Sequence, residues 1–343
     1  MSQHADYKNY DMTHFTLIMK DTYNVTTQSN IYSNKIVDSI KTYAECGLDW
    51  DAVKTPIVAL LEGKCPLPIE THVSINRSDN NQSIGIARVH YRPIQNSKIW
   101  EALHTSLDGV DHKVVGGGYT HNGGRIFIQT EIKDADFKVN GDDFRNYITF
   151  YTSHDGSSAF EMFDTSTRII CKNTIQSGRR AGGKSYKIRV RDTASASIRF
   201  EGVMQNLESI FGSRRAAYAD MSHLANTPMA YPEMIAWATG FFNRSNKLST
   251  MSSAKAHEVA AMARYGIGNK GVTRYDMLNG VTEHLTHGDK STKRSAASIW
   301  ESSEFGISAD TKAKALDNLT NLEEVSKTIE RGQQLINIGE ASA

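Results

Sequence analysis

Cysteine is scarce in this chain: Cys46, Cys65 and Cys171 are the only three in 343 residues. They are odd in number, widely spaced and form no CxxC pair. That excludes a disulfide framework and a zinc knuckle and points to a reducing cytoplasm. Long apolar runs are missing as well. Nothing approaches the roughly 20 residues that span a bilayer, and the mean hydropathy of −0.45 describes a soluble protein with no membrane partner. The opening Met1-Ser2-Gln3-His4-Ala5-Asp6 has no basic stretch leading into an apolar one, so no signal peptide is expected. Net charge is nearly absent at +1. There is no internal repeat and no low-complexity tract. The length suits one large domain or two moderate ones.

Several catalytic signatures are incomplete. The stretch from Gly116 to Gly124 (GGGYTHNGG) has the glycine content of a phosphate cradle but lacks the GK[ST] ending of a P-loop. The strand-like Arg125-Ile126-Phe127-Ile128 follows it where a dinucleotide fold needs a helix, so it reads as a flexible connection between strands. Ser153-His154-Asp155-Gly156-Ser157 holds a His-Asp pair, but Asp-Gly after a strand reads as a hairpin turn. His284 and His287 are spaced i, i+3 near a helix end, without HExxH, and read as C-terminal helix cations. No nucleophile triad or carboxylate pair is assignable. The expectation is no catalytic residue, no metal and no cofactor.

What the chain has in abundance is local positive charge. Between Thr165 and Phe200 lie Arg168, Lys172, Arg179, Arg180, Lys184, Lys187, Arg189, Arg191 and Arg199 against Asp192 alone, a local +8. Such density disfavours the compact state unless something anionic lies opposite. In Tyr186-Lys187-Ile188-Arg189-Val190-Arg191 the cations alternate with apolar residues, the pattern of a half-buried strand. Gly178 to Lys184 reads as a flexible basic loop feeding it. The first eight of these cations are therefore the candidate nucleic-acid-binding residues, a track for a phosphate backbone. The alternative is a solvated face whose cations pair with acids elsewhere in the fold. From Glu301 to Ala343 the chain carries eight acids against four cations, a surplus that could screen the basic segment in cis or from a neighbouring subunit.

Patterning predicts an α+β fold, a β-rich antiparallel core followed by a helical C-terminal half. Residues 1–32 read as a mobile arm, 33–212 as an α+β core with the basic segment, and 213–343 as a helical region. A helix is expected over 33–47 and a hairpin over 70–77 and 84–89. Another helix should cover 97–107. Strands are expected at 113–115, 125–132, 147–152, 159–163, 168–171 and 186–191. Helices should follow at 197–211, 232–242, 253–265, 276–285 and 310–336, with Ser252-Ser253 and Ser308-Ala309-Asp310 as N-cap signals. Tyr91, Tyr119, Phe127, Tyr147, Phe150, Tyr151 and Tyr186 stand near the basic strands. Unpaired bases stack on such rings, although the same rings are ordinary sheet residues.

A series of motifs is ordered along the chain. Cys46-Gly47-Leu48-Asp49-Trp50 comes first, then Val73 to Arg77 with Asp79, Ile84-Gly85-Ile86-Ala87 and Tyr91-Arg92-Pro93-Ile94-Gln95-Asn96. Gly123 to Phe127, Ser153 to Ser157 and Arg168 to Thr174 follow. Thr273-Arg274-Tyr275, Asn279 to His284 and His287 end the series. In this order they resemble the phage/plasmid-like protein family of unknown function over residues 39 to 290. Gly280 and His284 depart from its usual Ala and aromatic. The resemblance implies a setting in bacteriophages, plasmids and their bacterial hosts, and carries no biochemistry. At fold level the plan is similar to phage single-strand annealing proteins, which hold single-stranded DNA in the basic groove of a ring or filament. The leading expectation is thus a non-enzymatic, cytoplasmic, homo-oligomeric protein that binds or anneals single-stranded nucleic acid, DNA preferred. The rivals are a metal-dependent nuclease or phosphohydrolase using His154, Asp155, His284 and His287, and an anti-defence protein whose basic face meets an acidic partner.

Overall fold

The computed structural model describes residues 25–26, 40–60, 62, 65–133, 137–168, 170, 174–181, 186–188, 204–243, 245, 249–287 and 296–341. It is α+β, with antiparallel sheets first and helices after. Two compact units emerge. The first comprises residues 1–132, 148–162 and 186–204; the second comprises 133–147, 163–185 and 205–343. The expected boundary at 212 falls inside a helix, Met204–Ala225.

In the first unit, β2 (Ala52–Ala59), β3 (Leu67–Arg77) and β4 (Ser83–Arg88) form a three-stranded antiparallel sheet. The expected hairpin is β3–β4; β2 was not anticipated. A second sheet runs β1 (Val25–Thr26), β5 (His112–Thr120), β6 (Arg125–Ile132), then the end of β8 (Asp142–Ser153), the start of β9 (Phe160–Arg168) and β11 (Tyr186–Ile188). Helix α1 spans Asn96–Ser106, one residue from expectation. Of the helix predicted over 33–47, residues 33–39 lie outside the described residues, and the described part is corrected to a single turn at Tyr43–Cys46, stopped by Gly47 in the left-handed conformation (φ 68°). The glycine run is also corrected. Gly116 to Gly118 belong to β5, and a Cβ on Gly117 would lie 2.6 Å from the Cys46 sulfur, so the missing side chain is a packing requirement. Between β8 and β9 the Asp155-Gly156 turn forms with Gly156 at φ 74°.

The second unit holds the other ends of β8 and β9, flanked by β7 (Phe137–Val139) and β10 (Thr174–Ile175). The strand expected at 159–163 runs on as β9 to Arg168; of the separate strand expected at 168–171, Ile170 lies in a turn and 169 and 171 lie outside the described residues. Among the described residues seven helices follow: α2 (Met204–Ala225), α3 (Tyr231–Phe242), α4 (Thr250–Tyr265), α5 (Arg274–His287), α6 (Ala296–Phe305), α7 (Ile307–Thr320) and α8 (Leu322–Ala341). The single helix expected over 310–336 is two, because Asn321 leaves the helical region (ψ 112°). Its side-chain oxygen accepts the amides of Glu323 and Glu324, capping α8. The core of this unit is apolar and dense, with Trp237, Tyr275, Met277, Leu278, Val259, Leu316 and Val325 buried together.

Helices α3 and α8 approach until backbone meets backbone. A Cβ on Gly332 would stand 1.7 Å from the Ala236 carbonyl oxygen, and one on Gly240 would stand 2.1 Å from that of Thr328. Gly332→Ala should therefore cost on the order of 1–3 kcal/mol by overpacking and lower Tm by several degrees. Gly212→Ala, on α2 with nothing within 4 Å of a new Cβ, should be neutral or stabilising by up to about 1 kcal/mol. Thermal melts of both variants check the contrast.

Candidate functional site

The candidate site begins at the C-terminal end of β9. Arg168 projects into the interior, 1% exposed. One of its terminal nitrogens lies 2.6 Å from the Asp142 carboxylate and 3.0 Å from the Gly268 carbonyl oxygen. The other lies 3.0 Å from Asn269 Oδ1. The Tyr275 hydroxyl donates to the same Asp142 carboxylate at 2.9 Å. The loop entering α5 is held in shape by Asp276, whose carboxylate accepts the amides of Lys270, Val272 and Thr273 and the Thr273 hydroxyl. A guanidinium so enclosed cannot meet a phosphate backbone, and Arg168 is removed from the nucleic-acid set.

Arg179 and Arg180 follow the same logic. Asp164, wholly buried, accepts the Ser177 and Gly178 amides and the Ser177 hydroxyl, and so shapes the turn that opens the expected flexible basic loop, whose residues 182–184 lie outside the described ones. Arg179 then donates to Asp310 at 2.7 Å and to the Phe305 carbonyl oxygen at 3.2 Å. Arg180 reaches Asp317 at 2.8 Å and Asp220 at 2.7 Å, and the Ala181 amide donates to the second Asp317 oxygen at 2.7 Å. Two of the acids in the C-terminal surplus, Asp310 and Asp317, thus screen the segment in cis. The reading in which cations pair within the fold describes Arg168, Arg179 and Arg180. Lys172, Lys184, Arg189 and Arg191 lie outside the described residues. Lys187 stands opposite Glu161 in the β11–β9 register, while Tyr186 and Ile188 stand opposite the buried Met162 and Phe160.

Beside this segment is a buried charge pair absent from the expectations. Lys312 on α7 is 1% exposed and donates to Ser303 Oγ at 2.6 Å and Thr174 Oγ1 at 2.8 Å. Thr174 in turn donates to Glu304 at 2.9 Å. Burial pushes the Lys312 ammonium down and the Glu304 carboxyl up, each partly offset by the other's charge. In sequence both residues are ordinary members of the charged tail. Only the spacing of Lys312 against Ala309, Ala313 and Leu316 on the inward stripe of α7 carries a signal.

The histidines of the metal reading are separate from one another in kind. His154 is fully buried in the first unit, with its ring edge-on to Trp50 at 5.2 Å. Asn96 donates its amide nitrogen to the Leu48 and Trp50 carbonyl oxygens, so its oxygen must accept from His154 Nε2 at 2.8 Å. Nδ1 therefore carries the lone pair, buried without a hydrogen-bond partner. Burial pushes the imidazole down to about 4. His284, buried in α5, has Nδ1 3.7 Å from Glu258. Its neighbour Glu283 is also buried, one oxygen unpartnered, and desolvation raises its carboxyl to about 7, tempered by the charge of Arg168. Among the described residues no group of three or more His, Cys, Asp or Glu side chains is arranged to hold a metal ion.

Two further motif residues explain themselves locally. Arg77 lies between the rings of Trp50 and Tyr119, at 4.5 and 4.4 Å, and makes a forked bond to Asp79. The motif residues are thus largely the polar and aromatic joints of the fold.

An α+β protein with Arg168, Arg179 and Arg180 paired within the fold is the class this geometry defines. The chain belongs to the family described as domain of unknown function (DUF932), whose model matches residues 83–323. Neither the curated proteins nor the solved structures give a match.

The buried imidazole has a pH consequence. Its folded value lies below the ordinary 6.5, so the unfolded chain takes up a proton first. Stability contributed by neutral His154 is complete above about 6.5 and is lost as pH falls towards about 4, up to about 3 kcal/mol in all. Proton NMR of the His154 ring should show a single tautomer protonated at Nε2 and no titration above about pH 5. A midpoint near 6.5 would contradict the assignment.

Proposed function

We propose that this protein binds single-stranded nucleic acid, DNA in preference to RNA, and holds it for annealing, in the setting of a phage or plasmid. The observation that carries the reading is the charge that remains once the internally paired arginines are set aside. From Gly182 to Phe200 the chain has Lys184, Lys187, Arg189, Arg191 and Arg199 against Asp192. Support also comes from the way this stretch begins. Asp317 receives both the Arg180 side chain and the Ala181 amide, which fixes the residue from which the basic stretch starts. A phosphate backbone is the anion that a linear run of cations fits best, because each contact releases a condensed counterion. Such a protein neutralises phosphates and leaves bases open to a complementary strand; the chemistry asks for no nucleotide hydrolysis.

The inward turn of Arg168, Arg179 and Arg180 lowers the expected number of phosphate contacts to about three. At roughly −0.7 per contact on single strands, log K should fall with log[salt] with a slope of about −2. Between about 50 and 200 mM salt, binding should weaken roughly 20-fold on the same relation. Fluorescence anisotropy with a labelled oligonucleotide measures this. Arg179→Ala and Arg180→Ala should lower Tm and leave the slope unchanged. The triple change Lys184/Arg189/Arg191→Ala should flatten the slope towards zero and weaken all sequences alike. A folded triple variant that binds as tightly as the parent at every salt would refute the reading.

A further inference from the structure

A protein that holds single strands needs rings on which unpaired bases stack as well as cations for the phosphates. Of the rings expected near the basic strands, those that are described do not offer a free face. Phe127, Tyr147, Phe150 and Tyr151 are buried. Tyr91 is half-buried, its hydroxyl donating to the Ser153 carbonyl oxygen at 3.1 Å, and Tyr119 packs against Arg77. Among the described side chains two aromatic ones are exposed. Phe137, at 37%, is stacked face to face on Tyr218 with ring centroids 4.0 Å apart. The other is Tyr265, at 73%, the last residue of α4.

Tyr265 stands on a rigid base. The Arg264 guanidinium lies 5.4 Å from its ring centroid and 4.9 Å from that of Tyr231, within cation–π range of both. The loop that follows is folded back onto the end of α4: a Cβ on Gly271, at φ 71°, would lie 2.7 Å from the Arg264 backbone. Asn269 donates to the Met262 carbonyl oxygen at 3.0 Å, and Asp276 holds the amides of Lys270, Val272 and Thr273. A ring presented by so constrained a loop loses little freedom on binding. The surroundings are positive. Between residues 260 and 275 the exposed charges are Arg264 and Lys270, while the neighbouring Asp276 and Glu283 are buried. Glu233, exposed in the first turn of α3, accepts the Ala230 amide at 2.7 Å, and its charge acts on the half-buried Arg274.

We infer that Tyr265 is a stacking platform on which one unpaired base of a single-stranded nucleic acid lies, with Arg264 and Lys270 supplying the positive field that draws the strand to it. The inference rests on the reading that the protein binds single strands, and it gives that reading a base contact which a linear run of cations lacks. The chemistry of the site selects the occupant. An exposed ring steadied by an arginine is how strands are held without regard to sequence, because every base has a π face. A small inorganic anion would need neither the ring nor the half-exposed Ile267 two residues on. An acidic protein segment would meet the cations but has no flat base to lay on the ring. The loop amides are already taken by Asp276, so the contribution of the loop is to the base, and the phosphates stay with the basic stretch.

Anisotropy of the full chain with labelled oligodeoxythymidine, and with an abasic strand of the same length, tests the assignment. Tyr265→Ala should weaken binding of the intact strand roughly 5- to 100-fold at every salt, the range for one lost stack. The slope against log[salt] should not change, because no phosphate contact is lost. Tm should not change either, since the ring is exposed. Tyr265→Trp, with a larger ring, should bind at least as tightly as the parent. On the abasic strand the parent and Tyr265→Ala should bind alike. Intact-strand binding that ignores Tyr265→Ala would overturn the assignment and leave the site to a protein partner. Equal weakening on the abasic strand would overturn the stacking role. A parent that binds no single strand removes both readings together. If Tyr265→Ala weakens binding while Lys184/Arg189/Arg191→Ala does not, the platform stands and the basic stretch falls; the opposite pattern keeps the stretch and removes the platform.

Discussion

Burying a guanidinium is the constraint around which the second unit is arranged. Removing an ion from water costs several kcal/mol even after relaxation, and Arg168 has almost no exposed surface. The cost is offset because every element near it supplies an acceptor. Asp142 comes from the start of β8, Asn269 and the Ile267 and Gly268 carbonyl oxygens from the loop after α4. Tyr275, from the first turn of α5, shares the Asp142 carboxylate. That loop is itself set by Asp276, and its glycines are close-packed: a Cβ on Gly268 would lie 2.9 Å from the Arg168 terminal nitrogen. The charge of Arg168 then reaches Glu283, moderating the upward push that burial gives its carboxyl. One ion therefore links two strands, a loop and a helix, and two polar residues of the last sequence motif, Tyr275 and Glu283, lie in its field.

The same economy governs the rest of the basic segment that is described. Arg179 and Arg180 are at most 13% exposed and are met by carboxylates from α2 and α7. Pairs of this kind at half-exposed sites add little stability individually. Here they join backbone donors, the Ser177, Gly178 and Ala181 amides, to buried or half-buried carboxylates, and it is the satisfied backbone that makes the turn rigid. The segment thus divides at Ala181. Before it, cations are joints of the fold. After it lie the cations on which nucleic-acid binding rests as a proposal.

The sequence made the fold class legible because periodicity changes from two to 3.6 near the end of the basic segment, and hydrophobic spacing reports that directly. Strand β6 was placed to the residue, and α1, α3 and α5 to within two. What stayed hidden was tertiary in origin. Strand β2, with polar and apolar residues exposed alike, has no inward stripe to betray it. The glycines of β5 read as a loop because the reason for Gly117 is a cysteine 71 positions earlier. The break at Asn321 needed its two capped amides to be seen. For the site, charge density found the right segment but could not show which cations face inward. The partners Asp142, Asp220, Asp310 and Asp317 are remote in sequence, and only the acidic surplus after Glu301 hinted at two of them.

The central claim is that the arginines ahead of Ala181 hold the fold together, and the Arg168–Asp142 pair tests it most directly. A double-mutant cycle with Arg168→Met and Asp142→Asn, followed by urea unfolding, isolates their coupling. Each single change should cost on the order of 3–5 kcal/mol, because it leaves a buried partner uncompensated. The double variant should recover about 2 kcal/mol or more of the summed loss. Single changes that cost no more than about 0.5 kcal/mol and add without coupling, as at an exposed surface, would contradict the account.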